Sequence, residues 1–265
     1  GPDAEAAPED EELGESRKCY VCKLSYTRVH HFYDQLCPPC AELNYERRTR
    51  SADLSGRVAL VTGARVKIGY HAAIKLLRAG ASVVVTTRFP ADAARRYAAE
   101  PDFEGWRDRL AIYGLDLRHT PSVERLTAHL DRTLPRLDYL LNNACQTVRR
   151  PAGFYQHLLD HEARPDLGAP ARALLEGHRA LREGALARTD APALPDSAAL
   201  SQVALLREDL GRDLRLFPDG RLDADGQQVD LRDRNSWRLA LDEVPTAELL
   251  EVQLVNAVAP YVLNG

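Results

Sequence analysis

Methionine is absent from this 265-residue sequence, tryptophan occurs twice, and aromatic side chains make up 6% of the total. The missing methionine is unusual, and together with Gly1-Pro2, which reads as the remnant of a protease cleavage, it points to how the chain was prepared. No apolar run approaches the length of a membrane span, and nothing resembles a signal peptide, which excludes a transmembrane protein. No basic block is present, and the net charge is −4, which argues against a general nucleic-acid binder. Disulfides are not indicated either: four of the five cysteines fall in two Cys-x-x-Cys pairs, a pattern that suits a metal in a reducing compartment. A cytosolic protein is expected. What remains is an ordinary composition for a packed domain, 45% hydrophobic and 28% charged, with no internal repeat.

Residues 3–16 are acidic and nearly free of large apolar side chains, so residues 1–17 read as a disordered acidic tail. Residues 18–50 read as a small module. Cys19-x-x-Cys22 and Cys37-x-x-Cys40 are separated by fourteen residues, a spacing that lets each pair place two thiolates on one tetrahedral ion. Four protein ligands leave no open position, so the expected Zn²⁺ is structural. His30 and His31, inside the loop, are alternative ligands, and a redox Cys-x-x-Cys is a lesser reading because neither pair follows a strand in a βα unit.

From residue 53 the pattern changes to alternating strands and helices. Strands are expected over 57–62, 81–86, 110–115 and from 138, with helices over 70–79, 91–99 and 122–133. That alternation predicts an α/β fold with a Rossmann-type doubly wound parallel sheet. Thr62 and Gly63 end the first strand and Ile68-Gly69 lead into a helix, so backbone N–H groups at the helix start can meet a phosphate. After the second strand comes Thr86-Thr87-Arg88 with no acid. A carboxylate there would serve the ribose hydroxyls of NAD, whereas a cation serves a 2′-phosphate. Arg88 can pair with such a phosphate, and Arg65 and Lys67 add positive charge at the glycine turn, which favours NADP(H). The alternative is that Arg88 is a solvated loop residue.

Thr-Gly-x-x-x-x-Ile-Gly at Thr62–Gly69, Asp116-Leu117 and Asn142-Asn143-Ala144, in this order, resemble the short-chain dehydrogenase/reductase family. The resemblance covers 54–145 and resumes near 236–263, so residues 53–145 and 235–265 form the nucleotide-binding domain. It implies that Asp116 and Leu117 border the adenine, that Asn143 and Ala144 support the sheet beside the cofactor, and that Asn256 is the structural and proton-relay asparagine. Lys67 departs from the family, which has glycine there. Cys145 follows Ala144 where glycine is common and reads as a buried small residue. The family's Tyr-x-x-x-Lys is absent: Tyr45, Tyr70, Tyr97, Tyr113, Tyr139 and Tyr155 all lack a lysine four residues on. The sheet is therefore expected to be incomplete here, with the remainder further along the protein or in a partner chain.

Residues 146–234 interrupt the pattern, too long for a structureless loop. Phe154–Thr189 reads as helical, Pro192–Ala199 as a linker, and the turns at Asp219-Gly220 and Asp225-Gly226 frame a small hairpin. This insertion is expected to act as a lid or partner surface. Thr246 reads as an N-cap for a final helix whose apolar stripe is Leu249, Leu250, Leu254, Val258 and Val262. Two functions follow. One is an NADP(H)-dependent oxidoreductase acting on a small-molecule carbonyl or alcohol, expected to be a homo-oligomer or to pair with a chain supplying the remaining half. The other is a catalytically inactive nucleotide-binding or zinc-organised scaffold.

Overall fold

The computed structural model describes residues 11–163, 166–186, 194–211 and 213–265, and divides into two compact units, Gly1–Asp53 and Leu54–Gly265. In the first unit, β1 (Glu11–Lys18) pairs antiparallel with β2 (Ser25–Val29), and α1 (Pro38–Arg48) follows. Residues 11–16 are thus strand, where the acidic composition had pointed to disorder. Pairing with β2 satisfies a backbone whose side chains remain mostly in solvent. Residues 1–10 lie outside the described residues.

The second unit is built on a four-stranded parallel sheet of order β5-β4-β3-β6, comprising β3 (Val58–Thr62), β4 (Ser82–Thr87), β5 (Leu110–Gly114) and β6 (Tyr139–Leu141). Helices α2 (Lys67–Arg78), α3 (Pro90–Ala98) and α4 (Thr120–Thr133) connect them. The near-continuous apolar strands follow from burial on both faces. Ala59, Val61, Val83, Val85 and Ile112 enter the core with α2 and α3, whereas Leu60, Val84 and Tyr113 face α4. Each strand therefore divides its alternate residues between two cores.

The insertion belongs to this unit rather than forming a separate one. It contains α5 (Gln156–Ala163), α6 (Ala169–Ala173), α7 (Glu176–Leu186) and α8 (Ser197–Leu200), so the expected helix is broken into short pieces. The expected linker lies partly outside the described residues, and its last residues enter α8. Leu167, Ala171 and Leu174 extend the α2–α3 core. Along β5, Ile112 N–H donates to the Leu174 carbonyl (2.9 Å) and Gly114 N–H to His178 Nδ1 (3.3 Å). Phe154, Tyr155, Leu158, Ala198 and Phe217 pack with Phe89 into a third core at the carboxyl ends of the strands. The hairpin reduces to one bridge, Leu222 with Gln228, around a turn in which Gly226 takes φ +67°.

The chain closes with α9 (Thr246–Gln253), a π turn at Leu254–Val258, and α10 (Ala259–Asn264). Pro245, not Thr246, holds the cap position, and Thr246 is the first helical residue. The expected stripe is displaced by about one residue. The buried line is Glu248, Glu251, Val255, Ala259 and Leu263, while Leu249 and Leu250 are more than half exposed. Two glutamates occupy inner positions because arginine and serine partners meet them there.

Candidate functional site

The glycine turn is held from three sides. Gly63 has φ +65°, and an added Cβ would lie 2.9 Å from that of Ala144. A Cβ on Gly69 would meet Asn143 Nδ2 at 2.4 Å and the Gly63 carbonyl at 2.6 Å, so glycine is required for α2 to approach β3. Asn143 Nδ2 donates to the carbonyls of Thr62 (3.0 Å) and Gly63 (3.1 Å), and Ala144 N–H donates to Thr62 Oγ1 (3.0 Å). The Asn-Asn-Ala segment thereby fastens β6 to the turn. Lys67, at the family's glycine position, keeps the left-handed backbone of a glycine, with φ +56°. Its side chain reaches Asp225 (3.7 Å) and Asp223 (3.8 Å) of the hairpin turn.

Beside this turn opens a crevice of about 400 Å³. Gly63, Arg65, Lys67, Ile68, Arg88, Asp116, Leu117, Asn143 and Ala144 all line it, together with the unforeseen Arg118, Arg149, Arg150, Tyr155 and Glu251. Thr62 and Gly69 shape the turn from behind. Cys145, expected to be buried, is exposed on the crevice wall. Asn256 sits on the π turn and bonds the backbone of Gln146.

The charges of the crevice are mostly spoken for. Arg65, expected to add charge for a phosphate, is buried and pairs with Asp92 (2.7 Å), its second arm donating to Gln227 Oε1 (3.1 Å). Burial drives this correction: a desolvated guanidinium must find a carboxylate, and Asp92 is the nearest. Arg118 grips Asp116 (2.6 Å) and Glu251 (2.6 Å). Burial opposes ionisation of Asp116, but the Arg118 guanidinium outweighs it and holds the carboxyl below its ordinary range. Arg149, 4% exposed, joins Glu251 (2.8 Å), Glu208 (2.8 Å) and Asp209 (2.5 Å), and Arg150 pairs with Asp230.

Arg88 differs. Among the described residues it is the one crevice cation with no carboxylate in ion-pair reach. Its Nη2 donates to the Tyr155 hydroxyl (2.6 Å), and its guanidinium lies 4.3 Å from the Tyr155 ring centre. The arrangement offers an anion the N–H groups of the α2 start, Lys67 at its rim and, after β4, a guanidinium with no carboxylate in ion-pair reach. Glu162 of α5 accepts from the N–H groups of Ala91 (3.0 Å) and Asp92 (2.8 Å) at the start of α3, and burial pushes its carboxyl up to about 7.

In the first unit, the sulfurs of Cys19, Cys22, Cys37 and Cys40 all lie within 4.8 Å of one another. A Zn²⁺ with bonds of 2.3 Å needs sulfurs about 3.8 Å apart, and Cys22 and Cys37 are at 3.6 Å, so the cluster fits the metal. The adjoining Cys37 thiol and then burial push Cys40 up to about 12, so the four thiols do not ionise together without a cation. His30 is not part of the cluster: its Nδ1 accepts from the N–H groups of Phe32 and Tyr33.

Residues 57–160 match the model of the family described as short chain dehydrogenase. Within this chain, residues 57–160 are thus similar to short-chain dehydrogenases/reductases. It is 40% identical over 137 residues to an uncharacterized protein of Acanthamoeba polyphaga mimivirus, covering 50% of this chain and 29% of that protein. It is 34% identical over 164 residues to dehydrogenase/reductase SDR family member 13 of Bos taurus, covering 56% and 41%. Among solved structures, the Pseudomonas aeruginosa RhlG/NADP active-site complex aligns at 25% identity over 53% of each chain, with a TM-score of 0.32. The chain thus spans less than half the length of these curated relatives. No helix among its described residues is long and apolar enough to cross a membrane.

Proposed function

We propose that this chain carries the cofactor-binding part of an NADP(H)-dependent oxidoreductase that interconverts a carbonyl and an alcohol on a small molecule. The observation that carries the reading is Arg88, the crevice cation left without a carboxylate, standing directly after β4 where a 2′-phosphate is read. When bound, the nicotinamide supplies or accepts the hydride. Residues of this chain bind and orient: the α2 start with Lys67 would hold the pyrophosphate, Arg88 the 2′-phosphate, and Leu117 the adenine side. Asn256 would fix the Gln146 backbone at the inner end of the crevice. The proton donor, a tyrosine with a lysine one turn on, would lie outside these 265 residues. The four cysteines would hold a structural Zn²⁺, and the protein would work in a reducing, cytosolic setting, with a homo-oligomer the expected assembly.

Calorimetric titration of the intact chain tests the cofactor. NADPH is expected to bind more tightly than NADH, with Arg88→Ala abolishing the difference, and equal affinities in the unaltered chain would sink the proposal. A second reading, a nucleotide-binding scaffold without chemistry, is favoured by one contact. Lys67 faces Asp223 and Asp225, so the insertion competes for the cation a pyrophosphate would use. Hydride transfer by the full-length protein would remove that reading.

A further inference from the structure

The side chain that holds Arg88 comes from the insertion, not from the nucleotide-binding fold. We infer that Tyr155 is a positioning residue for 2′-phosphate recognition, and that the insertion thereby sets cofactor specificity. The inference rests on the proposed NADP(H) site and adds to it a residue that acts through Arg88.

Three observations carry it. First, Arg65, Lys67, Arg118, Arg149 and Arg150 each meet a carboxylate, whereas Arg88 meets a neutral phenol. A carboxylate in that place would neutralise the guanidinium. A hydroxyl oxygen takes one N–H, at 2.6 Å, and leaves the positive charge and the remaining donors for an anion. Second, Tyr155 is itself fixed. It is 9% exposed and packs on Phe89 (5.4 Å between ring centres) and against Phe154 (5.0 Å). Third, Ser197, also of the insertion, donates from Oγ to the Arg88 carbonyl (2.9 Å), so backbone and side chain of Arg88 are both held by residues far along the chain. A long arginine side chain loses rotamer freedom when it is immobilised. Tyr155 makes that loss before the phosphate arrives, so that binding does not.

The test compares NADPH and NADH binding to the intact chain by calorimetry for Arg88→Ala, Tyr155→Phe and the double variant. Circular dichroism checks that each is folded. Tyr155→Phe keeps the ring and its packing and removes only the acceptor. It is expected to weaken NADPH binding about 5- to 10-fold while NADH binding changes less than about 2-fold. In the Arg88→Ala background the same substitution is expected to do nothing more, because its effect passes through Arg88. An equal loss for both dinucleotides, or an unchanged preference, overturns the role of Tyr155. If the unaltered chain shows no preference for NADPH, the cofactor reading itself falls. If Arg88→Ala removes the preference and Tyr155→Phe does not, the cofactor reading stands and only the positioning role is lost.

Discussion

Asn256 and Gln146 hold each other by two reciprocal hydrogen bonds across 110 residues of sequence. Asn256 Oδ1 accepts from Gln146 N–H (2.8 Å), and Asn256 Nδ2 donates to the Gln146 carbonyl (3.0 Å). The π turn at Leu254–Val258 carries this amide, and wound turns of that kind are frequent at functional sites. Asn256→Ala removes both bonds at a surface position, so a loss of about 0.5–1.5 kcal/mol in urea unfolding is expected. Asn256→Asp keeps the acceptor and should lose less. Equal midpoints for Asn256→Ala and the unaltered chain would show that the pair contributes nothing.

Lys67 adopts a left-handed backbone that disfavours side chains by about 1–2 kcal/mol. Lys67→Gly is expected to leave stability unchanged or raise it slightly, because relief of strain is offset by the freedom glycine gains in the unfolded chain. Lys67→Val, β-branched, should lose more than about 1 kcal/mol. Denaturant melts of the two variants decide the matter, and a stable valine variant would contradict the strained turn.

Arg149 lies among Glu251, Glu208 and Asp209, with Asp209 1% and Glu251 4% exposed at their side chains. Arg149→Ala strands these carboxylates, and a loss of about 3–5 kcal/mol is expected. The pH dependence follows from Asp209, which burial would raise but Arg149 and backbone N–H groups hold below its ordinary value. A depressed carboxyl stabilises fully above its unfolded pKa near 4 and loses that contribution as pH falls through the folded value. The unaltered protein should therefore weaken in acid, while the gap between it and Arg149→Ala narrows below about pH 4. A gap that stays constant from pH 3 to 7 would refute the ion pair as the cause.

Glu162 behaves in the opposite sense. Burial lifts its carboxyl from 4.5 to about 7 despite the two N–H groups it caps. A raised pKa means its contribution is complete below the unfolded value and declines as pH rises towards 7. Glu162→Gln, which has no carboxyl to titrate, should flatten the stability profile between those values. Parallel profiles for the two proteins would exclude Glu162 from that window.

One zinc per chain is expected by elemental analysis of the intact protein. Cys37→Ser should lose the metal and expose the first unit to proteolysis, leaving Leu54–Gly265 resistant. Retention of a full zinc equivalent by that variant would show that the four sulfurs do not act together.

Local signals made much of this molecule legible. The apolar strands, the turn at Gly63 and the paired cysteines are properties of short segments, and the structure places the strands within a residue or two of where those signals put them. The resemblance implies that Asn143 supports the sheet, and its bonds go to the Thr62 and Gly63 carbonyls at the end of β3. The pairing of Arg65 is not legible in the sequence, because its partner Asp92 lies 27 residues on and burial of a guanidinium leaves no local trace. The Arg118–Glu251–Arg149 network spans more than 100 residues, and Glu251 looks in sequence like any solvated helical acid. The short spacing of Glu248 and Glu251 ahead of Val255 was the one available sign of an inner face. Tyr155 lacks the lysine four residues on that would mark a proton donor, and its contact with Arg88 depends on a fold of the insertion that no local pattern encodes.

The bonds from Leu174 and His178 to β5 have a consequence for growth of the sheet. Two outward N–H groups of that strand are already taken, and helical segments lie where another strand would have to run. β6, three residues long and with Tyr139 exposed, is the other flank. Extension of the sheet is therefore directional. A further strand can pair beside Tyr139–Leu141 but not beside Leu110–Gly114, so one flank is sealed against wrong pairing while the other stays open to it.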